Sequence, residues 1–194
     1  RLFGVPQPEK HHPEIDTGIH SLLVLGRAIA LTDDPLVRFA ALLHDVGKGA
    51  TDPALWPRHI GHEKKGKSLV DQLCVRLTVP KNYRELAVLV AEHHGRCHQA
   101  MEMRPDTLLR FLESLDLFRR PERLEPFLTA CIADAQGRPG SEDCEYPQAE
   151  RVRRAYQAAL KPSAKKLIAE GCDGKEVGKQ LALRRVEAIA AEFS

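Results

Sequence analysis

Apolar residues recur along this chain at intervals of three and four, and alternation in twos is nearly absent. The pattern therefore predicts helices and almost no strands. Asp16-Thr17 reads as an N-cap for a first helix carrying Ile19, Leu22, Leu23, Leu25 and Ile29 as its buried stripe. Asp34-Pro35, a capping residue followed by proline at the first helical position, opens "LVRFAALLHDV". A third helix is expected from Gly61 to Leu77, with Leu69, Val70, Leu73 and Leu77 facing inward. Pro80 starts a fourth, "KNYRELAVLVAEHH", which ends on two histidines, and Pro105 a short fifth around Leu108, Leu109 and Leu112. In the sixth, "PERLEPFLTACIADAQG", Pro126 must either kink the helix or mark its true start. A loop at Gly137, Pro139 and Gly140 follows, then helices over 147–160 and 174–192 with "PSAKKLIAEG" between them. No internal repeat or low-complexity tract interrupts the series, so the expected class is all-α.

Composition narrows the picture. With 194 residues the chain fits one domain, or one domain and an appendage, and can bury a real core. No apolar run reaches the length of a membrane span and no signal peptide opens the sequence, so no membrane partner and a cytoplasmic location are expected. The five cysteines are scattered, with no CxxC pair, which points to reduced thiols rather than a disulfide frame or a zinc ribbon. The first residue is Arg1, not Met, which suggests a fragment or a processed chain. Charge is uneven: residues 146–194 hold ten Lys/Arg against six Asp/Glu, a net +4, which leaves −2 for residues 1–145 of the overall +2. A mildly basic C-terminal part suits a phosphate-rich partner, although solvated helix faces look the same.

The histidines carry the chemistry. His20 lies inside the first helix, His44-Asp45 end the second, His62 begins the third, His93-His94 end the fourth, and Asp134 closes the sixth. Each alone has an ordinary explanation. "HDVG" at a helix end is a C-terminus with an imidazole at the negative end of the dipole and Gly47 as a left-handed cap. Together they are harder to explain so, because burying several imidazoles and two carboxylates without a shared partner is costly. A divalent cation is such a partner, and mixed imidazole and carboxylate suits Mn, Fe, Ni, Co or Zn better than calcium.

The order H…HD…D, with "HDVGK" at 44–48, resembles the HD-domain superfamily of metal-dependent phosphohydrolases. "HPEIDTGIH" (12–20), "LWPRHIGHE" (55–63) and "YPQAERVRRA" (146–155) are similar to the C-terminal half of bacterial multifunctional CCA-adding enzymes, the tRNA nucleotidyltransferases. The resemblance covers nearly the whole chain. It implies an HD-domain helical bundle with additional C-terminal helices: residues 1–145 as the phosphohydrolase domain and 146–194 as a basic extension that contacts tRNA. It also implies 2′,3′-cyclic phosphodiesterase, 2′-nucleotidase and phosphatase activity on nucleotide or RNA phosphoesters. No GGxxD-type loop of the transferase head, for which magnesium is the expected ion, is found, so this chain is not expected to add CCA.

In the family pattern His20, His44, Asp45 and Asp134 hold the metal, with Ni, Mn or Co favoured for hydrolysis. Lys48 is placed to hold a non-bridging phosphate oxygen, and Arg138 is a phosphate clamp, with Arg58 and His59 as weaker candidates. His62 and His94 have two readings: ligands of a second ion bridged by Asp45, or groups that bind phosphate and protonate the leaving oxygen. The latter is favoured, with His93 an alternative to His94. His11, His12 and His98 are assigned to surface or loop. A competing function is a tRNA-binding helical module with an incidental metal site, resting on Arg151, Arg153, Arg154, Lys165, Lys166, Arg184 and Arg185. A third is a free nucleotidase or alarmone hydrolase of the wider superfamily.

Overall fold

The computed structural model describes residues 2–10 and 13–194; His11 and His12 lie outside them. Among the described residues there are nine α-helices and no strand beyond an isolated bridge between Pro6 and Asp16. They are α1 Thr17–Leu31, α2 Pro35–Leu43, α3 His62–Arg76, α4 Lys81–His98, α5 Pro105–Ser114, α6 Leu124–Gln136, α7 Pro147–Leu160, α8 Ala164–Ala169 and α9 Val177–Glu192. None is long and apolar enough to cross a membrane. All five cysteines are free, and Cys74, Cys97 and Cys131 are buried.

Local chemistry sets many helix starts. The Asp16 carboxylate accepts from Gly18 N and Ile19 N, and Asp34 accepts from Leu36 N beside Pro35. Pro126 falls in the first turn of α6, where its missing N–H is no loss, so the helix is neither started nor kinked there. α4 continues past the two histidines to His98, which is helical and half-buried rather than in a loop.

The chain divides into two compact units: Arg1–Gly95 with Glu122–Tyr146, and Arg96–Pro121 with Pro147–Ser194. A single cut after residue 145 does not describe them, because Arg96–Pro121 joins the C-terminal helices. In the first unit α1, α2 and α6 pack on one another through a core of small residues: Val24, Ala28, Ala41 and Ala133. α1 therefore turns the opposite face inward from the one its leucines suggest. Thr17, His20, Ser21, Val24 and Ala28 are buried, whereas Ile19, Leu22, Leu23 and Ile29 are exposed. At Gly137 a Cβ would come within 2.7 Å of Val24 Cα, so a glycine there lets the end of α6 lie against α1. That approach sets His20 opposite Asp134. α3 buries Gly66, Val70 and Cys74, one residue every turn, and leaves Leu77 exposed.

The second unit is built on α5, α7, α8 and α9. Leu108, Leu109, Phe111 and Leu112 of α5 are buried, and the Tyr156 hydroxyl donates to the Leu117 carbonyl at 3.1 Å. Much of its positive charge is spent internally. Arg151 donates to the Ala100 and Met103 carbonyls, and its guanidinium lies 4.3 Å from the Phe193 ring centroid. Arg154 pairs with Glu192 at 2.9 Å, and Arg185 sits 3.8 Å over Phe118.

Candidate metal centre

Helix ends deliver the polar groups of the first unit to one place. α2 stops at Leu43 with His44 as its C-cap, and Asp45 opens a tight 3-10 turn over Val46–Ala50. Gly47 is not a left-handed cap. A Cβ there would overlap the His62 carbonyl oxygen and lie 2.5 Å from Gly66 N, so the glycine allows this turn to press against the first turn of α3. That close packing carries His62 to the carboxylate of Asp45.

His20, His44, Asp45, His94 and Asp134 are all buried, none more than 4% exposed. His20 Nε2 lies 3.1 Å from Asp134 Oδ1, and His44 Nε2 is 3.1 Å from Asp45 Oδ2 and 3.5 Å from Asp134 Oδ1. On the other side of the carboxylate, Asp45 Oδ1 faces His94 Nε2 at 3.4 Å and His62 Nε2 at 3.5 Å. Two groups have donor atoms mutually within 4.8 Å: His20, His44 and Asp134, and His44, Asp45 and His94. His62 belongs to neither and is the more open, its side chain 17% exposed.

Hydrogen bonds fix the tautomers. The Nδ1–H groups of His44, His62 and His94 donate to the carbonyls of Ala41, His59 and Val90, at 2.8, 3.0 and 3.0 Å. A carbonyl can only accept, so each neutral ring keeps its lone pair on Nε2, aimed at the carboxylates. His44 Nε2, Asp45 Oδ1 and His62 Nε2 are buried atoms with no hydrogen-bond partner. Such clustered acceptors fit a divalent cation, whose ligands at about 2.0–2.2 Å stand roughly 3–3.5 Å from one another. The residues present thus suit a divalent cation, with His20, His44 and Asp134 as one set of donors and His44, Asp45 and His94 as another.

Charge follows the same geometry. Burial acts to raise the Asp45 carboxyl, but His44 and Lys48 beside it outweigh this and hold it well below the usual carboxylate range. Burial acts to lower His20, yet its hydrogen bonds to Asp134 and Glu14 lift it to about 9. Burial lowers His62; at His94 burial acts the same way, but the negative charge of the Asp45 carboxylate beside it outweighs this and raises it.

The remaining candidates take these places. Lys48 is 8% exposed, with Nζ 2.6 Å from Asp45 Oδ2 and 2.5 Å from Gln7 Oε1. His59 is taken up in a latch, bridging Thr51 Oγ1 at 2.7 Å and the Pro6 carbonyl at 2.6 Å, while Arg58 is exposed. Of the paired histidines, His94 faces Asp45, and His93 lies 3.6 Å from Glu92. Arg138 does reach the centre, with Nη2 3.7 Å from Asp134 Oδ1. Two contributors escaped the sequence reading. Glu14 Oε1 stands 2.9 Å from His20 Nδ1, where it fixes the ring as a carboxylate behind a ligand histidine does. Gln7 orients Lys48. Both lie on the N-terminal segment held to α1 by Asp16 and Thr17.

The HD domain model matches residues 17–136. Proteins named "Multifunctional CCA protein" are 56% identical in Thioalkalivibrio sulfidiphilus over 189 residues, 54% in Nitrosococcus oceani over 188, and 52% in Vibrio cholerae over 191. Those matches take in 97%, 97% and 98% of this chain but 46%, 46% and 47% of the relatives, so the chain spans a little under half their length. No solved structure matches the chain at a significant level. The matched span contains all four proposed ligands and both flanking histidines, and the chain belongs to the HD domain family.

Proposed function

We propose that this chain is the metal-dependent phosphohydrolase part of a multifunctional CCA-adding tRNA nucleotidyltransferase. Its proposed substrates are 2′,3′-cyclic phosphodiesters, 2′-nucleotides and related phosphomonoesters. The observation that carries the reading is the convergence of His44 Nε2, Asp45 Oδ1 and His62 Nε2, buried and without hydrogen-bond partners. Similarity to multifunctional CCA proteins supports the placement.

A nickel, manganese or cobalt ion held by His20, His44, Asp45 and Asp134 would polarise the phosphoryl oxygen and make a nearby water more acidic. The chain's own groups do the rest. Two of the three Lys48 N–H bonds are spent on Asp45 and Gln7, leaving one for a non-bridging phosphate oxygen. Arg138 neutralises charge on the same phosphate from the Asp134 side. In the step itself, a water oxygen forms a new P–O bond while one ester P–O bond breaks. The Nε2 lone pair of His62, the accessible imidazole, takes the proton that the water loses, and the ring so protonated gives it to the leaving 2′ or 3′ oxygen. We place His94 with the ligands, since it shares a group with His44 and Asp45.

The direct test is hydrolysis of 2′,3′-cyclic AMP and 2′-AMP by the chain loaded with Ni²⁺, Mn²⁺ or Co²⁺. Turnover of both is expected, and a folded, metal-loaded chain inert on both would remove the enzyme reading. His62→Ala is expected to depress turnover at unchanged metal content; loss of one of two bound ions would instead make His62 a ligand. The competing tRNA-binding module has less to draw on, because Arg151, Arg154 and Arg185 are engaged within their own unit.

A further inference from the structure

The outward leucines of α1 line a groove of about 560 Å³ in the first unit. One wall is Leu22, Leu23 and Ala30; the other is the chain leaving α6, with Arg138 and Pro139. Its volume is that of a small-molecule site, within the usual range of about 300–1,000 Å³. Arg138 connects the groove to the metal centre, since the same side chain lines the groove and stands 3.7 Å from Asp134. A second guanidinium, Arg27, lines the groove as well. It is held in place rather than free to wander: Arg27 Nε donates to Gln136 Oε1 at 2.9 Å, and Gln136 Nε2 donates to the Cys144 carbonyl at 2.8 Å. Glu142 is the one acid in the lining, so the groove carries net positive charge.

Two positioned guanidiniums joined by an apolar wall, one of them at the hydrolytic centre, match a ligand with two phosphates separated by a nucleoside. We propose that the groove receives the nucleotide adjoining the scissile phosphoester. Its base lies on Leu22 and Leu23, and its own phosphate pairs with Arg27. The preferred substrate is then the 3′ end of an RNA oligonucleotide rather than a mononucleotide. This rests on the phosphohydrolase reading above.

The test compares kcat/KM for 2′,3′-cyclic AMP and for the dinucleotide ApA ending in a 2′,3′-cyclic phosphate, with the metal-loaded full chain. Wild type should favour the dinucleotide, and Arg27→Gln should lower its kcat/KM about tenfold, chiefly through KM, as for loss of one charge-assisted contact. The mononucleotide should suffer less, so the preference collapses, and Arg27→Lys should restore part of it. Leu23→Ser, at an exposed position, tests the wall independently and should raise KM for both substrates alike, since both lay a base there; an unchanged KM for both would overturn the wall. Equal rates on both substrates in wild type, or equal losses in Arg27→Gln, would overturn the groove assignment and leave the phosphohydrolase intact. No hydrolysis of either would remove both readings. A concentration-dependent dimer abolished by Leu23→Ser would assign the face to a second copy of the chain and overturn the nucleotide site.

Discussion

Asp45→Asn should lower hydrolysis of 2′,3′-cyclic AMP on the order of a thousandfold or more and strip the bound metal, while leaving the helical content in place. The single carboxylate meets four partners: Oδ2 faces His44 and Lys48, and Oδ1 faces His62 and His94. Asparagine keeps its size and an oxygen for the Lys48 ammonium, but it removes the negative charge that an ion requires. Alanine is a poorer probe. It would strand the ammonium of Lys48, buried at 8% exposure, with the Gln7 amide as its remaining acceptor. Breaking a buried pair in this way costs about 3–5 kcal/mol, so Asp45→Ala is expected to destabilise the metal-free protein rather than relieve it. Metal content by elemental analysis, circular dichroism and turnover, measured on one preparation, separate the cases. An Asp45→Asn protein that hydrolyses at the wild-type rate would remove Asp45 from the centre.

What could be read in the sequence was whatever local chemistry dictates. Asp16, Asp34-Pro35, Pro105 and Pro147 act on the turn that follows them, and each opens a helix as expected. The H…HD…D order was legible through its resemblance to a family. The phase of α1 was not. Periodicity weighs large apolar side chains, but the α1–α2–α6 contact is made through alanines and a valine, and beside them α1 directs a histidine into the site. The sequence named His94 with His93 as its alternative, and nothing local could decide between them, since neighbours on a helix diverge by about 100° and packing alone sets which turns inward; it is His94 that faces Asp45. Glu14 and Gln7 had no local signal at all. Gln7 meets Lys48 across 41 positions in sequence, and only the docking of the N-terminal segment on α1 brings them together. Glu14 lay within the quoted stretch preceding His20, where an acid six residues from a candidate ligand histidine was the available clue.

Gly47→Ala should be the most damaging single-methyl change in the first unit. Read locally, Gly47 is a helix cap, and alanine at a cap position costs little unless φ is positive, which it is not here. The damage comes from across the fold. The added Cβ would overlap the His62 carbonyl oxygen and lie 2.5 Å from Gly66 N and 2.8 Å from Gly66 Cα. His62 O and Gly66 N stand four residues apart at the start of α3, one residue beyond the Lys65 N to Gly61 O bond that opens the helix. No rotamer change can move backbone atoms, so α3 must shift, and His62 and the Asp45–Lys48 turn lose their register with it. Overpacking of this kind costs about 3 kcal/mol or more, a fall of roughly 10 °C in melting temperature for a chain of this size. Gly66→Ala is the matched control. A Cβ at Gly66 would sit 3.5 Å from Gly47 N and 3.7 Å from Ala91 Cβ, ordinary contact distances. Its position within α3 favours alanine over glycine by about 1 kcal/mol. Thermal melts of the two variants should therefore move in opposite directions, with turnover lost only for Gly47→Ala. Equal and small shifts would mean that the close approach of the HDVGK turn to α3 does not hold the centre together.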